Sequence, residues 1–115
     1  IHPERNVTEG RFLKSMAIAY SKQDRQEDAL AFLDKARRIF RKTLGRECAE
    51  VGLVVCNMAT ALKRQGKLEA ANEKYEEGLA FMRRVRGDEH EDVAGTLYRM
   101  AECKEEAGDV EGAVL

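Results

Sequence analysis

The amino-acid sequence predicts an all-α protein, a stack of antiparallel helical hairpins forming one domain. Three observations predict it. Met16-Ala17, Met58-Ala59 and Met100-Ala101 recur at a spacing of 42 residues. Inside each copy the apolar residues fall at i, i+3, i+4 and i+7, the stripe of a 3.6-period helix. Turn-forming residues separate the stripes, again in register: Gly45 with Gly87, and Asp24 with Gly66 and Gly108. Self-similarity at such a period marks architectures in which each unit buries its apolar face only against its neighbours.

Taken in order, the first helix covers about residues 7–23, with Leu13, Met16, Ala17 and Tyr20 on one stripe. Asp24 stops it, being among the few non-glycine residues that tolerate a left-handed backbone. A second helix, about 26–44, carries Ala29, Leu33, Ala36 and Phe40, widened by Phe32, Ile39 and Leu44. The second unit repeats this as helices of about 48–65 and 68–86, with Val51, Val54, Val55, Met58, Ala59 and Leu62, then Leu68, Ala71, Tyr75, Leu79 and Met82. The third begins with a helix of about 90–107, carrying Val93, Leu97, Met100 and Ala101. Gly108 predicts a turn into a sixth helix from 109, with Val110, Ala113 and Val114 inward. The units are therefore about 7–47, 48–89 and 90–115, the last incomplete, and the chain reads as a segment of a longer array. Alanine columns at 17/59/101 and 29/71/113 permit close approach, and a bulky residue there would overpack the joint by roughly 1–3 kcal/mol.

Composition narrows the function. Apolar residues make up 43% and charged residues 36%, with one proline and no tryptophan, and no apolar run approaches a membrane span. The net charge of −1 hides a polarity: residues 1–46 carry eleven Lys/Arg against six Asp/Glu, and 47–115 carry nine against fifteen. A basic stripe with interleaved aromatics is lacking, so neither nucleic acid nor membrane is expected as a partner. Cys48, Cys56 and Cys103 are odd in number and without C-x-x-C spacing, which points to buried small side chains in a reducing compartment. His2 and His90 have no second ligand at metal spacing, phosphate-binding glycine loops are missing, and no cofactor or catalysis is expected.

The columns resemble the tetratricopeptide repeat. Met58-Ala59, Leu62, Gly66, Ala71, Tyr75 and Gly78 match its large, small, large, turn, small, aromatic and small positions. The 42-residue unit, with turns such as Arg86-Gly87-Asp88-Glu89-His90, is similar to the kinesin light chain subtype. This chain departs from that subtype in having Glu91 where a proline follows the turn histidine. It also has Ser15, Asn57 and Arg99 in a column of asparagines. His2-Pro3 resembles the turn four residues early, as if a preceding unit ended there. The resemblance implies a right-handed α-solenoid whose first helices line a concave groove that binds a peptide or helix of another protein.

By this register the groove is lined by Arg11, Lys14, Ile18, Ser21 and Lys22 from unit one. Unit two adds Leu53, Cys56, Asn57, Thr60, Lys63 and Arg64, and unit three Gly95, Tyr98, Arg99, Glu102, Glu105 and Glu106. The first two units are basic there and the third acidic, which suits an acidic segment lying across units one and two. Tyr98 stands as an aromatic anchor. Lys14, Asn57 and Arg99 match three of five positions of a carboxylate clamp, with Ile18 and Gly95 at the other two. The clusters Arg37-Arg38 with Arg41-Lys42, and Arg83-Arg84 with Arg86, read as cations at helix C-termini. Three function classes remain open on sequence alone: an adaptor, a scaffold self-associating through its exposed terminal unit, and a regulatory segment of a larger protein.

Overall fold

The structure, a computed structural model, describes the backbone of residues 3–114 and the side chains of residues 6–108. Five helices follow one another: α1 (Pro3–Lys22), α2 (Gln26–Leu44), α3 (Ala49–Arg64), α4 (Leu68–Arg86) and α5 (Glu91–Val114). Helices α1 and α2 form one hairpin, α3 and α4 the next, and α5 packs on α4, giving an elongated body of 56 × 32 × 17 Å. Among the described residues there is no strand. The expected solenoid of hairpins is what forms.

Two boundaries differ from the sequence reading. Helix α1 starts at Pro3, about one turn early, because proline has no N–H to leave unsatisfied in a first turn and its φ suits a helix. His2, the other half of the turn-like pair, lies outside the described residues. The second difference corrects the helix count from six to five. Helix α5 runs through Gly108, whose φ stays out of the left-handed region, and continues to Val114. Glycine permits a turn without imposing one. The turns after α1 and α3 are held by the helix that docks next, whereas at Gly108 the i→i−4 bonding of α5 continues. The side chains expected inward from 109 onward lie outside those described.

The two kinds of turn are built differently. After α1, Arg25 N–H bonds the Tyr20 carbonyl (2.9 Å) and Asp24 N–H that of Ser21 (3.1 Å), with Asp24 at φ 62°. Lys67 to Leu62 (3.0 Å) and Gly66 to Lys63 (2.9 Å) repeat this pairing. This is the left-handed cap in which aspartate can replace glycine. Gly45 (φ 95°, ψ 169°) and Gly87 (φ 87°, ψ 161°) differ from that cap, their positive φ being combined with an extended ψ. Only glycine visits that region readily. After Gly87 the next helix starts on a side chain, with Asp92 N–H donating to His90 Nδ1 at 3.0 Å, whereas α3 begins at Cys48 without a side-chain cap.

Packing follows the stripes. Ala17, Ala29, Leu33, Ala36, Phe40, Val51 and Val54 form one buried cluster, and Ala59, Ala71, Tyr75, Leu79, Met82, Val93, Met100 and Cys103 the other. Burying each large member contributes about 1.5–3 kcal/mol. A column absent from the sequence reading sets the helix spacing. Gly10 lies so close to Phe40 that a Cβ would stand 2.7 Å from its ring, and at Gly52 a Cβ would stand 2.6 Å from Met82 Cε. Both glycine and large residue recur at the 42-residue period, which is the signal that could have revealed the pair. Three expected core residues are exposed instead: Leu44 (44%), at the end of α2, and Leu97 (43%) and Ala101, on the face of α5 where no second helix lies.

All three cysteines are free, with Cys48 half-buried and Cys56 and Cys103 buried. Burial pushes the Cys56 and Cys103 thiols up, against smaller opposing effects from the Thr96 hydrogen bond at Cys56 and from Lys63 at Cys103. At pH 8 a disulfide-exchange reagent is expected to titrate Cys48 promptly and the other two thiols only on unfolding. Rapid labelling of all three in the folded chain would contradict the packing. The turns predict a contrast as well. Gly66→Asn should shift the urea midpoint little, whereas Gly87→Asn should lose about 1–3 kcal/mol. Equal losses would mean the two turns are alike.

Candidate functional site

The first helices of the units lie side by side, and their C-terminal halves enclose a cleft of about 580 Å3. Its floor is apolar, from Ala17, Leu33 and Tyr75, all with at most 2% exposure. Around the floor stand Ile18, Ser21 and Lys22 of α1, Asn57, Thr60, Lys63 and Arg64 of α3, and Arg99, Glu102 and Glu106 of α5. The 3.6-residue period puts each set on one face of its helix, and the repeat gives the faces one phase.

Hydrogen bonds fix part of this lining. Ser21 Oγ donates to Gln26 Oε1 (2.6 Å) and accepts from Arg64 Nη1 (2.7 Å), while Gln26 Nε2 donates to the Ser21 carbonyl (2.9 Å). This network ties α1 to α2 and, through Arg64, to α3. In the floor Thr60 Oγ and Tyr75 OH share a hydrogen bond of 2.8 Å. Burial pushes the Tyr75 phenol above its ordinary range, with the Thr60 hydrogen bond opposing. Tyr75 and Leu33 belong to second helices and were assigned to the core from the sequence. They belong to the core and close the bottom of the cleft while staying buried.

The charges are partly self-neutralised. Lys63 Nζ lies 3.5 Å from Glu106 and 4.0 Å from Glu102, so the acids of the third unit pair with the basic residue of the second. Arg64 is occupied with Ser21. Lys22 and Arg99, by contrast, have no ion pair among the described residues and stand on opposite walls, on α1 and α5. Asn57, on α3 between them, has a free amide by the same measure.

Several expected lining residues lie elsewhere. Arg11 and Lys14 do not line the cleft; they reach the first turn of α3, where both approach Glu50, at 3.8 and 3.7 Å. The sequence-derived clamp therefore does not assemble: Ile18, Asn57 and Arg99 share the cleft, but Lys14 and Gly95 are outside it. Tyr98 is outside too, 69% exposed on another face of α5. Its column explains the error. The equivalent Cys56 is buried against Gly78 of α4, so this column faces the hairpin partner and not the groove. Leu53 and Glu105 are likewise absent from the lining.

Away from the cleft, Arg37, Arg38, Arg83, Arg84 and Arg86 of the basic clusters find acids nearby. Asp34 holds both Arg37 (3.1 Å) and Arg38, and the hydrogen bond from Arg38 lowers its carboxyl pKa against the opposing effect of burial. Arg83 pairs with Asp88 (3.3 Å), Arg84 with Glu47 (3.1 Å) and Arg86 with Asp92 (3.8 Å). These tie successive helix ends together. Among the described residues no group of three or more His, Cys, Asp or Glu could hold a metal ion, and no helix is long and apolar enough to cross a membrane.

Comparison with known proteins agrees with this architecture. No curated protein matches the chain in sequence. Among solved structures, a Podosopora anserina protein bearing nearly identical TPR-like repeats, and carrying the name kinesin light chain, superposes with a TM-score of 0.74. It is 24% identical over 98% of this chain and 52% of its own. A point variant of that same protein gives 0.73 at 24% identity, over 99% and 52%. The chain thus spans about half the length of these structures, and the likeness is one of fold, that of kinesin light chain-like repeats. The sequence model of the tetratricopeptide repeat matches residues 10–84 and again 53–115. Repeats of this kind generally mediate protein–protein interaction, and this chain belongs to the tetratricopeptide repeat family.

Proposed function

We propose that the chain is a protein-interaction module with no chemistry of its own, whose cleft takes an extended acidic segment of a partner. The observation that carries this reading is the pair of unpaired cations, Lys22 and Arg99, on opposite walls of a cleft with an apolar floor. Two carboxylates of a ligand can meet them, and hydrogen bonds to charged groups contribute about 1.5–3 kcal/mol each. The free amide of Asn57 can hold the ligand's main chain between those ends, and the floor of Leu33, Ala17 and Tyr75 can take one apolar side chain. The remaining cations matter less than their number suggests. Lys63 is held by Glu102 and Glu106, and Lys14 and Arg11 by Glu50, so a ligand must displace those acids before using them.

A panel of labelled ten-residue peptides, Asp/Glu-rich, neutral and Lys/Arg-rich, tests this by fluorescence anisotropy. Acidic peptides are expected to bind best and to weaken as salt shortens the screening length. The double variant Lys22→Glu, Arg99→Glu should weaken them by about tenfold or more, the loss of at least one charged hydrogen bond, with helical circular dichroism unchanged. Preference for basic peptides, or undiminished binding by the variant, would refute the reading.

A further inference from the structure

Two cations carry charge that the fold does not neutralise, and they line the same two hollows. Lys22, in the last turn of α1, and Arg64, in the last turn of α3, fill one column of the repeat. Neither has an ion pair among the described residues. Both line the cleft and, with Ser21, Asp24 and Gln26, a second cavity of about 420 Å3 that adjoins it. We propose that Lys22 and Arg64 bind the phosphoryl group of a phosphorylated serine or threonine in the partner segment, which rests on the acidic-segment reading of the cleft and names the ligand's chemistry at its Lys22 end.

Arg64 is anchored without being neutralised. Its Nη1 donates to Ser21 Oγ at 2.7 Å, Ser21 Oγ donates in turn to Gln26 Oε1 at 2.6 Å, and Gln26 Nε2 donates to the Ser21 carbonyl at 2.9 Å. Ser21 is 8% exposed and Gln26 6%, so the support of the guanidinium is buried. A hydroxyl removes none of the charge, and it takes one N–H of the fork while the rest stays free for a ligand. A side chain held in advance loses less entropy on binding. Asp24 lines the second cavity but pairs with neither cation.

Charge chooses the ligand group. One carboxylate would balance only one of the two cations. A phosphate monoester carries about −1.5 to −2 at neutral pH and has three acceptor oxygens, which suits a guanidinium fork beside an ammonium. The second cavity gives the tetrahedral group room next to a main chain running in the cleft. Since both cations line the cleft as well, the phosphoryl reaches them on such a chain and not as a free anion.

The test starts from an acidic ten-residue peptide in which one glutamate at a time is replaced by phosphoserine, with binding to the intact protein followed by fluorescence anisotropy. At one position phosphoserine is expected to bind about tenfold or more tighter than glutamate. Arg64→Gln, with helical circular dichroism unchanged, should cancel that gain and weaken the parent peptide by no more than about fivefold. On the unaltered protein, phosphorus NMR should find the bound phosphoserine titrating below its ordinary pKa of about 6, because two cations favour the dianion. Inorganic phosphate should displace the phosphopeptide only at far higher concentration. Equal binding of glutamate and phosphoserine at every position would overturn the inference and leave the acidic-segment reading standing. A parent and phosphopeptides that all fail to bind would overturn both. A gain that survives Arg64→Gln, or an unshifted titration, would place the phosphoryl elsewhere. Inorganic phosphate binding as tightly as the phosphopeptide would make this a free-anion site and overturn the inference equally.

Discussion

Everything in this structure depends on how closely two helices of a hairpin can approach. Glycine on the first helix, at 10 and 52, receives a large residue of the second: an added Cβ would stand 2.7 Å from the Phe40 ring at one and 2.6 Å from the Met82 methyl at the other, each of which would have to move. Alanines at 17 and 29, and at 59 and 71, close the rest of the joint with no exposure at all. Close packing of this kind fixes rotation as well as distance, because a helix turned by one residue would bring a larger side chain into the joint. Since the joint is repeated with one phase, the faces of α1 and α3 left over from packing point the same way.

The cleft is a consequence of that phase. Its walls are the residues that the joints do not use, and its bottom is closed by the buried core residues Ala17, Leu33 and Tyr75. Charge then decides what the cleft offers. A tally of formal charges on the first helices suggests a basic half and an acidic half. In the folded chain Lys63 bridges to the acids of the next unit, and Glu50 draws Lys14 and Arg11 away. Exposed pairs of this sort contribute little to stability, but they occupy the groups that would otherwise attract a ligand. What remains available is a smaller set: Lys22, Arg99 and Asn57.

Nearest-neighbour packing also makes the units unequal. Helix α3 packs between α2 and α4, whereas α5, among the described residues, packs on α4 and meets α3 through Cys56–Thr96 and through Lys63 with Glu102 and Glu106. Stability in such arrays is a sum of unit and interface contributions, and α5 has the larger of its interfaces among the described residues with α4. Its inward residues Val93, Met100 and Cys103 are as well buried as their equivalents, and its outward columns are bare. The described residues thus include a charged cleft and, on α5, exposed Leu97 and Tyr98.

Much of this could be read from the residues. Periodicity of 42 established the hairpins, because a helix must bury its stripe and a repeated stripe demands repeated neighbours. Asp24, Gly66 and the alanine columns located turns and joints, because each answers to a local steric rule. Local rules could not decide whether Gly108 turns, since glycine allows both conformations and the docking of a following helix makes the choice. Nor could they separate two adjacent columns of a first helix, one facing the groove and one the partner helix. That distinction placed Asn57 in the cleft and buried Cys56 beside it, and it left Tyr98 on the open face. The sequence by itself determined the repeat, its helices and most of its core, through spacing and side-chain size. Only the tertiary structure decided which cations stay free, because pairing depends on distances between helices that no single helix encodes.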